Sequence, residues 1–318
     1  MAAMLSSKKA LLLTISFFML KLLEGYLRWS EVFLCINMIL RKGGDLLILH
    51  DRGGTEKCVI PENALVYESR SFRLYRALSL DQTQNYLLRI PCDAALNGEI
   101  DAEAETLKHL ASCSAEIEAE YAESKHDPSA RVHYDWLFPQ LVDTFILDES
   151  QGYRQANLLS VIDGNIAEFY PLPKLMNAYR VDAKTAAWVL GRFFKLQTFL
   201  ESVDVTLNFR ADQVLVEPKM HRVVYLGWCL MGNGKSSDCG KLAARTILGW
   251  QENNGTEHED DFRNLLEKIA DPSQTRLDGV NLHQMLYGNL VTWWGRNYHP
   301  FTYLDRASRQ WKQLEATL

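Results

Sequence analysis

The sequence predicts an α+β fold in which strands come first and helices follow. Short runs of aliphatic, β-branched and aromatic residues, separated by turn residues, dominate up to about residue 165. Beyond that point, apolar residues recur at the three- and four-residue spacing of amphipathic helices. The sequence contains no internal repeat, and no long linker separates the two halves. We therefore expect two lobes of one domain.

The β-rich half is predicted to open with a hairpin. Runs of strand-forming residues at 46–49 and 57–60 flank the turn sequence Asp51-Arg-Gly-Gly54. Further strands are predicted at 64–67, 73–77, 86–90, 141–146 and 156–162, with one helix at about 100–123. That helix should end before Asp127-Pro128, because proline restricts the residue before it and cannot continue a helix.

The helical half is predicted to begin with a long helix that Asp182 caps and that runs to about Val203. A loop follows, and then a second hairpin with strands at 214–216 and 223–226 around the turn Pro218-Lys219. Further helices are predicted at roughly 238–250, 259–270, 279–293 and 304–316.

Residues 1–40 form a hydrophobic segment that leaves several interpretations open. The apolar run 10–20 is shorter than the roughly 20 residues of a membrane span, and Lys21 ends it. Amphipathic helices that pack on the domain or on a partner are the leading interpretation. The alternatives are membrane association through residues 10–40, a signal peptide, and translation that starts at Met38.

Composition excludes several classes of function. The net charge of −6 argues against nucleic-acid binding through bulk charge. The six cysteines are scattered without zinc spacing, which favours thiols in the reducing cytoplasm. The eight histidines also lack ligand spacing, so no metal site is predicted.

Residues 203–229 carry the most informative pattern. The long helix is followed by a loop with Asn208, Arg210 and Gln213, then by the second hairpin, and then by Leu226-Gly227-Trp228. This order resembles the catalytic loop of the protein-kinase family, and the resemblance extends over about residues 64–290. In that family the matching positions hold a catalytic Asp, a Lys, a metal-binding Asn and the metal-binding Asp of a DFG motif. The resemblance therefore implies that phosphoryl transfer has been lost.

The β-rich half gives the resemblance further positions. The family has a Lys that binds the nucleotide phosphates and pairs with a Glu, and these positions fall on Arg89 and Glu103. The resemblance therefore implies an ion pair between Arg89 and Glu103 at a nucleotide cleft. The glycine-rich hairpin of the family falls on 67–75, where no glycine occurs. Arg70 and Arg73 are candidate anion contacts there, although the side chains obstruct the usual ATP position.

Two late positions match structural elements of the family. Asp238 falls where an Asp supports the catalytic loop, and Asp271-Pro272 with Arg276 matches a late Asp-Pro-x-x-x-Arg element. The activation segment is short, and its APE motif is missing. A rival interpretation is a phosphate-binding loop at Gly234-Lys235-Ser236, but Cys229 replaces the first glycine of that motif.

The sequence thus predicts a bilobal protein-kinase-like fold with an extra N-terminal hairpin. The expected domains are the segment 1–40, a β-rich N-lobe at 41–165 that includes the helix at about 100–123, and a helical C-lobe at 166–318. The leading hypothesis is a pseudokinase, a catalytically inactive member that serves as a binding or regulatory scaffold. The alternatives are a divergent phosphotransferase, in which Asp204 or Asp212 would substitute for the missing acids, and a purely structural domain.

The ligands and partners follow from the same hypothesis. We expect no intact catalytic residue, no metal ligand and no cofactor. The alternative to the absence of a cofactor is ATP, bound with or without Mg²⁺. A protein partner and a cytoplasmic location are expected, with membrane association through the N-terminal segment as the alternative. The oligomeric state is not predicted.

Overall fold

The computed structural model describes residues 46–148, 152–178, 180–205, 209–217, 222–228, 239–251, 258–274 and 277–295. The predictions for the segment 1–40, Asn208, Asp238, Arg276 and the helix at 304–316 lie outside these residues. Contacts divide the chain into two compact units. The β unit runs to Asn97 and includes Asp143–Leu158. The helical unit contains Gly98–Val142 and the chain from Leu159 onward.

The β unit contains most of a seven-stranded sheet, of which residues 140–142 and 159–160 are grouped with the helical unit. Its strands are β1 (Leu47–His50), β2 (Glu56–Ile60), β3 (Leu65–Glu68), β4 (Phe72–Leu78), β5 (Asn85–Pro91), β6 (Gln140–Ile146) and β7 (Gln155–Ser160). The order is β1-β2-β4-β5-β7-β6, and β3 pairs with β4 beside this path. The pairs among the first five strands are antiparallel.

The predicted first hairpin is confirmed, with Leu49 opposite Cys58. Asp51 shapes its turn, because its Oδ1 accepts hydrogen bonds from the backbone N–H groups of Gly53 at 2.8 Å and Thr55 at 2.9 Å. Cys58 belongs to the buried core of the sheet, and this burial raises the pKa of its thiol to about 12. The thiol is therefore structural rather than reactive.

The helical unit contains six described helices and three short strands. The helices are α1 (Asn97–Ser124, whose first residue belongs to the β unit), α2 (Leu172–Ala178), α3 (Ala183–Ser202), α4 (Cys239–Trp250), α5 (Glu259–Ala270) and α6 (Gly279–Trp294). The strands are β8 (Tyr170–Pro171), β9 (Val214–Glu217) and β10 (Arg222–Tyr225). They form a small sheet in the order β10-β9-β8, so the predicted second hairpin is confirmed.

Helix α3 is the central element of the helical unit. Its predicted cap is confirmed, since Asp182 Oδ1 accepts from the Thr185 N–H at 3.0 Å. Phe193, Phe194 and Phe199 on this helix are fully buried. Both α4 and α6 pack against α3, which accounts for the apolar periodicity in all three sequences.

The overall prediction of an α+β fold is confirmed, with a β-rich part followed by a helical part. The division by contacts differs from the predicted lobe boundary at two places, because Gly98–Val142 and the residues from Leu159 to 165 are grouped with the helical unit. Among the described residues, no helix is long and apolar enough to cross a membrane.

Candidate functional site

The candidate site in the helical unit lies where the loop before β9 meets the end of β10. Pairing of β9 with β10 places Val214 opposite Tyr225, so the residues that flank the hairpin come together. The backbone N–H of Leu226 donates to the Gln213 carbonyl at 2.7 Å and continues this pairing. The sequence positions 213 and 227 therefore belong to one place in the fold, as the resemblance required.

Gln213 and Gly227 fit each other closely. Gly227 has a φ of +82°, a left-handed conformation that favours glycine. A β-carbon at residue 227 would lie 2.7 Å from the Gln213 amide nitrogen and would overlap the amide oxygen and carbon. Gln213 is itself buried, so its amide has no open space to move into. The space that a side chain at 227 would occupy is thus filled by Gln213.

Glu103 ties helix α1 to the same place. Its carboxylate Oε1 accepts a hydrogen bond from the Gly227 backbone N–H at 2.7 Å, across 124 positions of sequence. Glu103 is only 1% exposed. A buried carboxylate needs hydrogen-bond donors to offset its lost hydration, and this backbone N–H supplies one.

Tyr225 completes a closed polar network that the sequence analysis missed. Its hydroxyl donates to Gln213 Oε1 at 3.1 Å and accepts from the Arg210 backbone N–H at 3.2 Å. Its backbone carbonyl accepts from the Trp228 indole N–H at 2.7 Å, and its ring stacks on Phe209. A tyrosine within the otherwise aliphatic predicted strand 223–226 is the only sequence signal that points to this role.

The charged residues of the loop are paired with each other. Arg210 donates to both carboxylate oxygens of Asp212, from Nε at 3.0 Å and from Nη2 at 2.6 Å. The hydrogen bonds with Asp212 raise the pKa of Arg210. Asp212, the sequence candidate for a substitute acid, is therefore engaged by its neighbour two positions away.

The β unit contains the hairpin that the resemblance assigns to phosphate binding. Its turn lies between β3 and β4 and is closed by a side chain instead of glycine. Ser69 Oγ accepts from the backbone N–H of Ser71 at 3.2 Å and of Phe72 at 3.1 Å. Of the candidate anion contacts, Arg73 donates to Glu68 at 2.8 Å, and Arg70 is exposed.

Arg89 is packed within the same unit. It lies opposite Leu74 in the β4–β5 pairing, and its guanidinium carbon is 4.2 Å from the centre of the Phe72 ring. Arg89 is 4% exposed and Phe72 is 1% exposed. The planar guanidinium stacked on an aromatic ring is a contact that the family's Lys would not make in this form. The predicted ion pair of Arg89 with Glu103 would join the two units and stays a prediction.

The described residues contain no group of three or more His, Cys, Asp or Glu side chains suited to hold a metal ion. At the two described positions that the resemblance assigns to metal binding, the chain has one amide side chain and one glycine. Neither position supplies the carboxylate oxygen that Mg²⁺ prefers.

Comparison with known proteins gave structural matches only. No family model matches the chain, and no curated protein matches it. Among solved structures, vaccinia related kinase 3 is 13% identical, with a TM-score of 0.48 over 78% of this chain and 90% of that one. The PknI kinase domain of Mycobacterium tuberculosis is 8% identical, with a TM-score of 0.46 over 73% of this chain and 95% of that one.

A third match is Rad53 residues 1–466, solved in complex with AMP-PNP. It is 9% identical, with a TM-score of 0.45 over 71% of this chain and 64% of that one. All three are kinase structures. At such low identity, these matches say nothing of the activity, ligands or partners of this chain.

Proposed function

We propose that this chain is a catalytically inactive protein-kinase-like domain that serves as a binding or regulatory scaffold. The proposal includes a protein partner and a cytoplasmic location. The thiols of Cys58 and Cys113 are in keeping with a reducing compartment.

The fit of Gln213 to Gly227 is the observation that carries the proposal. Phosphoryl transfer depends on Mg²⁺ ions that carboxylate and amide oxygens hold against the phosphates. A carboxylate at 227 would need a β-carbon where the Gln213 amide already lies. The amide oxygen of Gln213 is in turn taken up by the Tyr225 hydroxyl. The two positions support each other's packing rather than a metal ion.

The β unit supports the same conclusion from independent contacts. Bare glycine backbone is what allows a hairpin to approach phosphates closely. Here the turn is fastened by Ser69, and Arg89 is stacked on Phe72 instead of standing open to an anion. A nucleotide would have to displace both contacts before it could bind as it does in an active kinase.

The test is nucleotide binding and phosphate transfer by the purified full chain. Thermal unfolding is measured with ATP alone, with ATP and Mg²⁺, and with ATP and Mn²⁺, because a ligand of the folded state raises the melting temperature. Transfer of labelled γ-phosphate to the chain and to a general protein substrate is measured in parallel. We expect neither a metal-dependent rise in melting temperature nor transfer of label.

The control for contaminating kinases is the variant Arg89→Met. Label transfer by the wild type that this variant abolishes would overturn the proposal and establish a divergent phosphotransferase. Transfer that persists unchanged in the variant comes from a contaminant. A melting-temperature rise with ATP alone would leave a scaffold that binds nucleotide without catalysis.

A further inference from the structure

Helices α3 and α6 of the helical unit lie side by side and run in opposite directions. At one end, a β-carbon at Gly279 would fall 2.6 Å from Thr198 Oγ1 and closer still to the Thr198 backbone. Further along, Gly191 faces Leu286 and Tyr287, whose nearest atoms lie 3.6 and 4.0 Å from its β-carbon position. Residue numbers rise on one helix as they fall on the other, so the pair is antiparallel and closely packed.

The outer side of this pair carries positive charge from α3. Arg192 and Lys195 are partly exposed there, and the Arg192 guanidinium carbon lies 5.4 Å from the centre of the Trp188 ring. The α6 side adds His283, whose ring centre is 4.3 Å from that of Tyr287. Basic side chains thus alternate with aromatic rings across the pair.

No acid of the described chain balances the charge of Arg192. Burial lowers the pKa of Arg192, with Arg222 acting in the same direction and Tyr287 against it. Burial, Lys195 and Arg192 together lower the pKa of His283. Of these three residues, only Lys195 interacts with acids, namely Glu118 and Asp135. Within the described chain, Arg192 has no ion pair.

Helix α6 adds apolar surface beside these cations. Val280, Tyr287 and Val291 are 48%, 47% and 42% exposed, and their spacing of seven and four residues puts them on one face. At Gly288, next to Tyr287, a β-carbon would meet no atom within 4 Å. Apart from His283, the helix contains no acidic and no basic residue, whereas the whole chain has a net charge of −6. An exposed, uncharged apolar stripe beside the Arg192 guanidinium is typical of a protein-interaction surface.

We propose that this α3–α6 surface, formed by Arg192, His283, Tyr287 and Val291, binds an acidic, apolar-containing segment of a partner protein. A carboxylate of that segment pairs with Arg192 and accepts a hydrogen bond from the His283 ring, and its apolar side chains pack on Tyr287 and Val291. The proposal rests on charge complementarity, because an acid supplied by the partner offsets the repulsion between Arg192 and Lys195. The surface shares no residue with the contact between Gln213 and Gly227, so the proposal does not depend on whether nucleotide binds.

The probe is a synthetic, fluorescein-labelled amphipathic peptide with leucines along one face and glutamates elsewhere. Its binding to the full chain is measured by fluorescence anisotropy, beside a peptide in which lysine replaces every glutamate. We expect the acidic peptide to bind and the basic peptide not to bind. Arg192→Glu and Tyr287→Glu should each weaken binding by about tenfold or more, as loss of one ion pair or one anchor predicts.

The matched control is Arg76→Glu, which makes the same charge change at an exposed position of β4. It should bind the acidic peptide as the wild type does. Tyr287 is exposed, so its variant should keep the wild-type circular dichroism spectrum and remain informative if Arg192→Glu fails to fold. Equal binding by wild type, Arg192→Glu and Tyr287→Glu would overturn the proposal, and so would no binding at all. Preference for phosphatidylserine vesicles over the peptide would also overturn it, in favour of a membrane surface.

Discussion

The carboxylate of Glu103 and the backbone N–H of Gly227 are joined by a 2.7 Å hydrogen bond. This bond links helix α1 to the segment after β10, and Gly227 is in turn packed against the Gln213 amide. Three positions that the resemblance assigns to chemistry thus form one buried structural contact. Substitutions at these positions should therefore change stability first.

Gly227→Ala should destabilise the chain, and Gly227→Asp should do so at least as strongly. An added side chain overlaps the Gln213 amide and must also adopt a positive φ. Together these effects should lower the free energy of unfolding by about 2–4 kcal/mol. Chemical denaturation measures this, with Gly249→Ala as the control, because no atom lies within 4 Å of a β-carbon at that helical position.

The double variant Gly227→Ala with Gln213→Ala separates the two contributions. Removal of the Gln213 amide makes room for the new methyl group, so the loss at 227 should shrink to the cost of the positive φ, about 1 kcal/mol. Strict additivity of the two single changes would contradict the packing described here. Phosphate transfer by Gly227→Asp would contradict it too, because a metal-binding carboxylate at 227 would need the space that the Gln213 amide fills.

Glu103→Ala should expose the Gly227 amide to exchange with solvent. The variant removes the acceptor of a buried N–H, which should cost about 1–3 kcal/mol. Hydrogen exchange measured at Gly227 should speed up by more than global destabilisation explains. Glu105→Ala is the control, since Glu105 is exposed and pairs with Lys108. Equal exchange at Gly227 in both variants would show that the bond does not protect this amide.

The sequence predicted the elements well, because local patterns determine them. The turn at Asp51, the cap at Asp182 and the apolar periodicity of α3 are all signals within a few residues, and each was confirmed. The contacts that define the candidate site join residues that are far apart in sequence. The sequence alone therefore indicates a lost acid at Gly227. The structure gives a reason for glycine itself at this position, because φ is +82° and the buried Gln213 amide fills the space of a side chain.

Ser69→Ala should loosen the turn between β3 and β4. The variant leaves the N–H groups of Ser71 and Phe72 without the hydroxyl oxygen that accepts from both, at a cost of about 1 kcal/mol. The change should appear as faster hydrogen exchange at these two amides in the β unit. Ser129→Ala is the control, since Ser129 is exposed in the helical unit and its hydroxyl bonds only to Asp127. Unchanged exchange at both amides in Ser69→Ala would show that the backbone alone holds the turn.

Lys195→Met should change how stability depends on pH. Burial, with Arg192 acting in the same direction, lowers the pKa of Lys195 to about 8 from its ordinary 10.5. Between these two pH values the unfolded chain keeps the proton that the folded chain has lost. Folding is therefore favoured progressively as pH rises through this window, and below pH 8 the cost of the buried charge is fully present.

The measurement is the free energy of unfolding of wild type and Lys195→Met at several pH values from 7 to 10.5. Relative to the variant, the wild type should gain about 1 kcal/mol across the window, a value discounted for partial exposure. Cys58 gives the opposite trend, because its raised pKa of about 12 lets the folded chain keep the thiol proton at a pH where the unfolded chain has lost it. This contribution cancels when the free energy of the variant is subtracted from that of the wild type. Lys108→Met, at an exposed position of α1, should give a curve parallel to that of the wild type. Parallel curves for Lys195→Met and the wild type would show that the ammonium group keeps its ordinary hydration in the folded chain.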